Sequence, residues 1–328
     1  EYLHENIPLK TPFLIQIFPV YACNFKCAYC IYSIKREKHG YISKSTYMDL
    51  NLYKKAIDDL ERFPKKLKML RFAGIGEPLL HPEIAEMIAY AKKKKIAESV
   101  DIVTNGVLLT EELSLRLVDS GLDRLRVSIQ GISKEKYKEI SGVLIDFNLF
   151  LKQLQYFYDH KKKTSVYIKI IDCALDNKRE EEIFYKLFED KCDNIAIEHL
   201  TPTVHEIDYS KLRNDKTEMI TQSGNKLEDA SICPQPFYMM QINPDGNVVP
   251  CCSMEYPIVI GNLENEDLYH IWNGKYFNAF RLKLLDGVDK ANKVCSKCTL
   301  FKYGLFDEDR LEEHANKLKN LFKEASKL

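Results

Sequence analysis

Residues 13–30 read FLIQIFPVYACNFKCAYC, an apolar run that leads directly into three closely spaced cysteines. The run Phe13–Phe18 has the length and composition of a buried strand. Cys23, Cys27 and Cys30 then form a C-x3-C-x2-C pattern, and three thiolates in one loop can bind three corners of a cubic [4Fe–4S] cluster. Such a cluster would keep one iron free for a ligand that is not protein. A zinc site is the alternative, although no fourth Cys or His lies within eight residues of Cys30.

The segments that follow alternate between strand and helix patterns. Short runs of β-branched and apolar residues predict five further strands, at Met69–Ala73, Ser99–Thr104, Arg124–Ile129, Val166–Ile171 and Ile195–Ile197. Between them, apolar residues recur at three- and four-residue spacing, as in Leu50, Tyr53 and Ile57. Six βα units in a row indicate a parallel sheet with right-handed crossovers. We therefore expect an α/β fold, a partial (β/α)6 barrel of the TIM type.

Polar and glycine residues gather just after these strands. They lie at Gly74–Pro78, Thr104–Gly106, Ser128–Gly131, Lys169–Asp172 and Glu198–His199. In (β/α) barrels the carboxyl ends of the strands build the active site. The cysteine loop follows the first strand, so it belongs to the same mouth of the barrel.

The string CNFKCAYC resembles the signature of the radical S-adenosylmethionine (SAM) superfamily, and Tyr29 stands where that family usually has an aromatic residue. The resemblance implies a [4Fe–4S] cluster whose open iron chelates SAM. It also implies that an electron, delivered by a flavodoxin- or ferredoxin-type donor, cleaves SAM. The resulting 5′-deoxyadenosyl radical then abstracts hydrogen from a substrate.

The stretch Gly74–Pro78 reads GIGEP and is similar to the family's glycine-rich GGEP element, which binds the SAM amino group. Ile75 replaces the second glycine of the common form. Glycines such as Gly74 and Gly76 let the backbone approach a ligand closely, and Glu77 offers a carboxylate to an ammonium. On the residues alone, Glu-Pro is also a common helix start.

Two further strings resemble family elements that contact SAM. Asn105 stands in TNG, and Ser128 and Gln130 stand in RVSIQG, where period two puts both side chains on one face. The alternatives are a tight turn, which Asn-Gly favours, and a polar strand end that is simply hydrated. The resemblance implies that all three residues reach SAM.

Four later cysteines form a second set, Cys233, Cys251, Cys295 and Cys298. Their spacing, C-x12-G-x4-C…C-x2-C, resembles the start of the SPASM domain. It is closer to the shortened twitch form, because no cysteine follows Cys298. The string INPDGNVVPC predicts a β-hairpin that turns at Asp245-Gly246. Four thiolates can fully ligate one auxiliary [4Fe–4S] cluster or one structural zinc ion, and the Gly-x4-Cys spacing favours Cys251 over Cys252.

Three cysteines remain outside both sets, Cys173, Cys192 and Cys252. A thiol beside the substrate could return a hydrogen atom to a carbon radical, as in radical SAM epimerases. A free cysteine is more often a small buried hydrophobic residue. Cys173 is the strongest candidate for a catalytic role, because it lies just past the fifth predicted strand.

Composition argues against two classes of partner. Lys+Arg and Asp+Glu both number 48, so the net charge is zero and no basic surface for nucleic acid is indicated. No apolar stretch reaches membrane-spanning length, and no signal peptide opens the chain. Ten cysteines without an export signal favour reduced thiols that bind metal. We expect a cytoplasmic protein whose chemistry is anaerobic, with no membrane and no nucleic acid as partner.

The chain is expected to divide into five parts: an N-terminal extension (1–12), the radical SAM partial barrel (13–200), a linker (201–231), a twitch/SPASM-like domain of a β-hairpin plus helix (232–302) and a C-terminal helix (303–328). The terminal helix is predicted from the face shared by Leu311, Ala315, Leu318, Phe322 and Ala325.

The resemblance to family members with one auxiliary cluster, among them an aminocyclitol dehydrogenase, implies that the second cluster accepts or relays an electron. We expect an oxidoreductase or epimerase that acts on a hydroxylated small molecule such as a sugar, nucleotide sugar or aminocyclitol. Candidate bases, by strand position only, are Glu198, His199, Asp172 and Lys169.

Two other functions compete with this one. The first is modification of a ribosomally made peptide or protein. Peptide-modifying members often carry an N-terminal recognition domain, and about twelve residues precede the first predicted strand here. The second is a non-catalytic iron–sulfur or zinc scaffold, which the SAM-type residues disfavour.

Overall fold

One mixed sheet organises the computed structural model, which describes residues 1–212 and 220–325. The six predicted strands are present as β1 (Leu14–Ile17), β2 (Leu67–Phe72), β3 (Ala97–Thr104), β4 (Arg124–Ile129), β5 (Ser165–Ile171) and β6 (Asn194–Glu198). They pair in sequence order, and every pair is parallel. Among the described residues the sheet does not close on itself, so the α/β fold is a partial barrel, as the sequence predicts.

Three strands of the C-terminal region continue the same sheet as β7 (Met239–Ile242), β8 (Asn247–Val249) and β9 (Gly261–Asn262). β7 runs parallel to β1, with Gln241 opposite Gln16, and β8 and β9 follow antiparallel. The order is therefore β6-β5-β4-β3-β2-β1-β7-β8-β9. The β7–β8 hairpin turns at the predicted Asp245-Gly246, where Gly246 has a φ of +77° that favours glycine.

The described residues also form helices, several of them single turns. Those of the barrel region are α1 (Leu3–Asn6), α2 (Leu50–Asp59), α3 (Ile84–Lys94), α4 (Glu111–Asp119), α5 (Lys134–Ser141), α6 (Phe147–His160) and α7 (Lys178–Phe188). Those of the C-terminal region are α8 (Gln235–Tyr238), α9 (Leu268–Asn273), α10 (Lys275–Leu284), α11 (Val288–Ala291), α12 (Lys293–Lys297), α13 (Leu300–Tyr303) and α14 (Ala315–Ala325).

Side-chain caps explain where the longer barrel helices begin. The Thr110 hydroxyl accepts a hydrogen bond from the Leu113 amide at 3.1 Å at the start of α4. The Asp146 carboxylate accepts one from the Leu149 amide at 2.9 Å at the start of α6. Each cap satisfies an amide that the first helical turn leaves without an intrahelical partner.

The two faces of the barrel sheet differ in character. Leu70 and Ile102 are fully buried and share one hydrophobic core with helix residues such as Phe150. The opposite, concave face carries polar side chains, among them Arg71 and Lys169, at alternate positions of the same strands. The apolar face therefore holds the sheet against its helices, and the concave face is left for a ligand.

The C-terminal tail is helical over a shorter stretch than predicted. α14 begins at Ala315, and the residues before it form two single 3-10 turns, Asp307–Asp309 and Glu312–His314. The Phe322 ring contacts that of Phe237 in α8, with centroids 5.6 Å apart, so α14 is packed on the C-terminal region.

Part of the predicted linker 201–231 lies outside the described residues, namely 213–219. The stretch after it is not purely irregular, because Ile220 forms an antiparallel bridge with Lys226. No helix in the described ranges is both long and apolar enough to cross a membrane.

Candidate active site

The cysteine loop follows β1, and its backbone is fixed to the end of α5. The amides of Lys26 and Ala28 donate to the carbonyls of Ser141 and Ile140, each at 2.8 Å. Phe25, 1% exposed, anchors the loop in the core. The three predicted cluster cysteines are therefore held on an ordered loop at the carboxyl end of the sheet.

The three thiols of this loop lie close enough to influence one another's ionisation. Burial raises the pKa of Cys23 to about 12, with further contributions from the neighbouring Glu77 and Cys30. Burial also raises the pKa of Cys27 strongly, and Cys30 and Cys23 add to it. Three thiolates would repel one another here unless a positive centre bound them. The donor set fits the irons of a [4Fe–4S] cluster, which cysteine thiolates hold.

The GIGEP stretch packs directly against the chain that enters the cysteine loop. A Cβ on Gly76 would lie 1.9 Å from the Val20 carbonyl oxygen, so only glycine fits there. The Glu77 amide donates to the Ala22 carbonyl at 2.8 Å. Ile75, the residue that departs from the family pattern, is 3% exposed and packs in a small apolar cluster. Ile75 therefore fills a hydrophobic site, and the close approach of the Gly76 backbone to Val20 is kept.

Glu77 is buried, and its carboxylate ties the end of β2 to the end of β3. Oε1 accepts hydrogen bonds from the Leu79 amide at 2.9 Å and the Thr104 hydroxyl at 2.5 Å. Oε2 accepts one from the Asn105 amide at 2.8 Å. Burial raises the pKa of Glu77, and these hydrogen bonds oppose that rise. A carboxylate can accept about four hydrogen bonds, so a further donor such as an ammonium can still be accommodated.

Asn105 and Gln130, both predicted to reach SAM, contact the cysteine loop. Asn105 Nδ2 donates to Asn24 Oδ1 at 2.7 Å. Gln130 Oε1 accepts a hydrogen bond from the Tyr29 hydroxyl and lies 3.5 Å from Cys27 Sγ. The side chains at the ends of β3 and β4 therefore position the loop. Ser128 lies on the concave face of β4, in register with Lys169 of β5.

A cavity of about 370 Å³, called here the main cavity, lies between the mouth of the barrel and the C-terminal region. The cysteine loop contributes Tyr29 and Cys30 to its wall, and the end of β6 contributes His199. The C-terminal region contributes Tyr238 and Cys252. Its volume falls in the range typical of small-molecule sites.

His199, on this wall, forms a hydrogen-bonded pair with Asp172. His199 Nδ1 lies 2.8 Å from Asp172 Oδ2, and the other carboxylate oxygen accepts from the Leu200 amide at 3.0 Å. A proton on Nδ1 that bonds to the carboxylate leaves Nε2 as the basic nitrogen. The His199 side chain is 24% exposed, so the ring is accessible from the cavity that it lines.

Glu198 is less suited to proton transfer, because its oxygens are already engaged. It forms an ion pair with Lys169 and accepts hydrogen bonds from the Tyr167 hydroxyl at 2.9 Å and from Gln222. Of the candidate bases predicted by strand position, His199 therefore lines the main cavity and is hydrogen-bonded to Asp172, whereas Glu198 and Lys169 are held together by their ion pair.

All four cysteines of the second predicted set, Cys233, Cys251, Cys295 and Cys298, line one small apolar cavity in the C-terminal region. Burial raises the pKa of Cys251 to about 12, and the nearby Cys298 is among the groups that add to it. In the described part of the chain, no group of three or more His, Cys, Asp or Glu side chains is arranged to hold a single metal ion. The convergence of four thiols on one cavity fits a fully ligated cluster.

The three remaining cysteines occupy different places. Cys252 lines the main cavity, and its Sγ lies 3.7 Å from Gln235 Oε1. Cys173 is buried in a small apolar cluster beside Leu200, with burial raising its pKa to about 12. Cys192 lies before the start of β6, at the end of the strand away from the cavity, where its Sγ contacts the Phe188 carbonyl at 3.3 Å.

Two residues that shape the site were missed by the sequence analysis. Asn24 stands between Cys23 and Cys27. Its polar side chain inside the cysteine motif could have indicated a contact such as the hydrogen bond with Asn105. Gln222 lines the main cavity and contacts Glu198. It falls in the predicted linker, where the uniformly polar composition gave no signal.

Two family models match the chain. The radical SAM superfamily model matches residues 17–183, and the model of an iron–sulfur cluster-binding domain, SPASM, matches residues 233–299. The first span contains the cysteine loop, the GIGEP stretch and the ends of β1 to β5. The second contains all four cysteines of the small cavity.

The curated relatives are similar over about a third of this chain. A tungsten-containing aldehyde ferredoxin oxidoreductase cofactor-modifying protein of Pyrococcus furiosus is 38% identical over 107 residues, 33% of this chain and 28% of that protein. A GTP 3′,8-cyclase of Chlorobaculum tepidum is 34% identical over 132 residues, 40% of this chain and 37% of that protein. The chain thus spans about a third of the length of these relatives.

Solved structures share the fold over most of the chain. BtrN in complex with AdoMet and 2-DOIA has a TM-score of 0.56 at 20% identity, covering 88% of this chain and 92% of BtrN. Streptococcus suis SuiB bound to S-adenosylmethionine has a TM-score of 0.62 at 16% identity, covering 92% and 74%. Native anSMEcpe with bound AdoMet and the Cp18Cys peptide has a TM-score of 0.57 at 16% identity, covering 95% and 96%.

The radical SAM model covers half of the chain. The radical SAM domain brings a [4Fe–4S] cluster that binds SAM, and the SPASM domain brings an auxiliary [4Fe–4S] cluster. Because that half contains the cysteine loop and the glycine-rich stretch that packs against it, the protein belongs to the radical SAM superfamily and carries a C-terminal SPASM iron–sulfur domain.

Proposed function

We propose that the protein is a radical SAM oxidoreductase that removes hydrogen from a hydroxylated small molecule, such as a sugar, nucleotide sugar or aminocyclitol, bound in the main cavity. The set of residues that line the main cavity is the observation that supports this proposal. The wall of this cavity joins the cysteine loop, His199 and the C-terminal region around one space of about 370 Å³. A substrate there would adjoin a hydrogen-abstracting centre on one side and a base on another.

The cluster ligands follow from the two sets of thiols. Cys23, Cys27 and Cys30 would hold the SAM-binding cluster, and Cys233, Cys251, Cys295 and Cys298 would hold the auxiliary cluster. When bound, the first supplies hydrogen abstraction through SAM, and the second supplies a one-electron acceptor. Tyr29, Gln130 and Asn105 position the loop through the contacts described above, and Glu77 and the backbone at Gly74 and Gly76 offer the SAM amino group its site.

His199 is the proposed base. Asp172 orients the ring through Nδ1, so Nε2 can take the proton of a substrate hydroxyl. Loss of that proton makes the adjacent carbon radical easier to oxidise, and the net reaction is dehydrogenation. Epimerisation remains the second outcome at the same site, because the Cys252 thiol also lines the cavity. Cys173 is buried in the neighbouring apolar cluster and is the weaker hydrogen donor.

Modification of a peptide is the alternative function. Its support is the fold shared with anSMEcpe, whose structure contains the Cp18Cys peptide. The cavity volume of about 370 Å³ falls in the range typical of small-molecule sites, which favours the small molecule. GTP 3′,8-cyclases among the relatives add a nucleotide to the substrates worth testing.

Isotope transfer tests the proposal. The reconstituted enzyme is incubated anaerobically with SAM, dithionite and one perdeuterated sugar, nucleotide sugar, aminocyclitol or peptide at a time. The proposal predicts deuterium in 5′-deoxyadenosine from a hydroxylated small molecule. His199→Gln should abolish product formation, whereas the matched change of the exposed His160 in α6 should leave it unchanged. Deuterium transfer from peptides alone would refute the small-molecule assignment.

A further inference from the structure

Three neighbouring strands place charged side chains next to one another on the concave face of the barrel. Arg71 of β2 lies in register with Asp101 of β3, and Asp101 lies in register with Arg124 of β4. Arg126 follows two residues later on the same face of β4. Charged residues inside strands of otherwise apolar composition need a reason, because removing a charge from water is unfavourable unless it is paired.

Asp101 cannot satisfy the two arginines beside it. It is fully buried, and its Oδ1 accepts a hydrogen bond from the Ser99 hydroxyl at 2.5 Å. Its Oδ2 lies 3.7 Å from Arg71 Nη2 and 3.6 Å from Arg126 Nε, distances too long for hydrogen bonds. Asp101 Oδ2 and the Nε atoms of both arginines are buried without a hydrogen-bond partner in the described structure. Arg71 Nη2 contacts the Met69 sulfur, a weak acceptor, at 3.0 Å, and both guanidinium groups retain an unused donor at Nε.

On β2, β3 and β4, the described strand residues of the concave face include three arginines and one carboxylate. The remaining ion pair of this face, Lys169 with Glu198, is internally neutral. Arg71, Arg124 and Arg126 are left against the single carboxylate of Asp101. An excess of arginine in this setting suits an anion that accepts two parallel hydrogen bonds, because the guanidinium fork matches a pair of oxygens of phosphate or carboxylate.

The Arg71 and Arg126 side chains are partly exposed to solvent, while their Nε atoms are buried. Arg124 and Arg126 line an open cavity of about 480 Å³ together with Tyr167 and Glu198. The side chains of Arg71 and Arg126 are 23% and 30% exposed. This open cavity adjoins the main cavity, because Glu198 on its wall accepts a hydrogen bond from Gln222 on the wall of the main cavity.

We propose that Arg71 and Arg126 bind an anionic group of the substrate, a phosphate or a carboxylate, inside the barrel and so hold the hydroxylated part of the molecule in the main cavity. The inference rests on the proposed function and narrows it. Phosphorylated sugars, nucleotide sugars and sugar acids fit the charge of this face. An aminocyclitol, whose ammonium would meet the arginines, does not.

Three sugars with the same ring configuration test the site: glucose 1-phosphate, glucuronate and glucose. Their dissociation constants are measured by anaerobic titration calorimetry with the reconstituted, SAM-bound enzyme. The anionic sugars should bind at least about tenfold more tightly than glucose, and Arg71→Gln and Arg126→Gln should each remove about that factor. The matched change Arg116→Gln on α4 should have no effect. Binding of only one anionic sugar identifies which anion the site prefers.

The variant Asp101→Asn should change the affinity for anionic sugars in the opposite direction. A mere loss of structure would not increase that affinity. The amide can keep the Ser99 hydrogen bond, while the negative charge that competes for both arginines is gone, so the anionic sugars should bind more tightly. Weaker binding in Asp101→Asn, equal binding of all three sugars, or no binding of either anion would overturn the inference. Because these measurements need no turnover, anion binding without deuterium transfer from any hydroxylated molecule would refute the proposed function and leave the anion site standing.

Discussion

Replacing Glu77 by Gln should loosen the strand ends as well as weaken SAM binding. The carboxylate accepts two hydrogen bonds at Oε1 and one at Oε2. A Gln side chain has one oxygen, so its NH2 group must face one of these two sets of donors. The less unfavourable orientation turns the NH2 toward the Asn105 amide, which loses a charge-assisted hydrogen bond and stays buried without an acceptor.

The size of the effect follows from that geometry. A hydrogen bond to a charged group contributes about 1.5–3 kcal/mol, and a buried donor left unsatisfied costs about 1–3 kcal/mol. Both figures describe the same Asn105 amide, so we expect a loss of about 2–3 kcal/mol in the free energy of unfolding. That corresponds to a fall in Tm of roughly 5 °C. Removal of the charge should also weaken SAM binding, by roughly tenfold.

Thermal denaturation and anaerobic equilibrium dialysis of SAM measure the two effects separately. Glu182→Gln, an exposed position in α7, is the matched control and should change neither. An unchanged Tm in Glu77→Gln would refute the claim that the carboxylate links β2 to β3. An unchanged SAM dissociation constant together with a lower Tm would show that Glu77 is structural and that the GIGEP stretch is not where the SAM amino group binds.

Two sets of substitutions and one solvent isotope experiment have further expected outcomes. Gly76→Ala should prevent assembly of the cysteine loop and SAM binding, because the new Cβ would lie 1.9 Å from the Val20 carbonyl oxygen. The control Gly304→Ala, which has open space around the new Cβ, should leave SAM binding unchanged. Equal SAM binding in both variants would contradict the packing described for Gly76. Cys251→Ser should remove the auxiliary cluster and Cys252→Ser should retain it, which iron content and visible absorbance measure. The reverse result would make Cys252 the cluster ligand in place of Cys251. In D2O, dehydrogenation should consume one SAM per product without deuterium at the product carbon; deuterium that Cys252→Ser abolishes would establish epimerisation instead.

Local patterns predicted the barrel well, because each strand is an apolar run bounded by turns. β4 has the predicted bounds, and the other five strands differ by one or two residues at one or both ends. The Asp245-Gly246 turn was predictable for the same reason, since a positive φ at Gly246 is a property of the dipeptide itself.

Contacts between distant segments could not be predicted in this way. Nothing in β7 indicates that it pairs with β1, which joins the iron–sulfur region to the barrel sheet. The Asn24–Asn105 hydrogen bond spans 81 residues of sequence. The choice between His199 and Glu198 likewise required knowing that Lys169 and Gln222 already occupy the Glu198 carboxylate.

Iron content after anaerobic reconstitution tests the central claim most directly, namely that two separate sets of cysteines hold two clusters. The account predicts about eight irons per chain, from two cubes of four. Replacing Cys23, Cys27 and Cys30 by Ala should leave about four and abolish SAM cleavage. Replacing Cys295 and Cys298 should also leave about four while retaining part of that cleavage. Zinc in the purified protein, with no more than about four irons after reconstitution of the unmodified chain, would contradict the account.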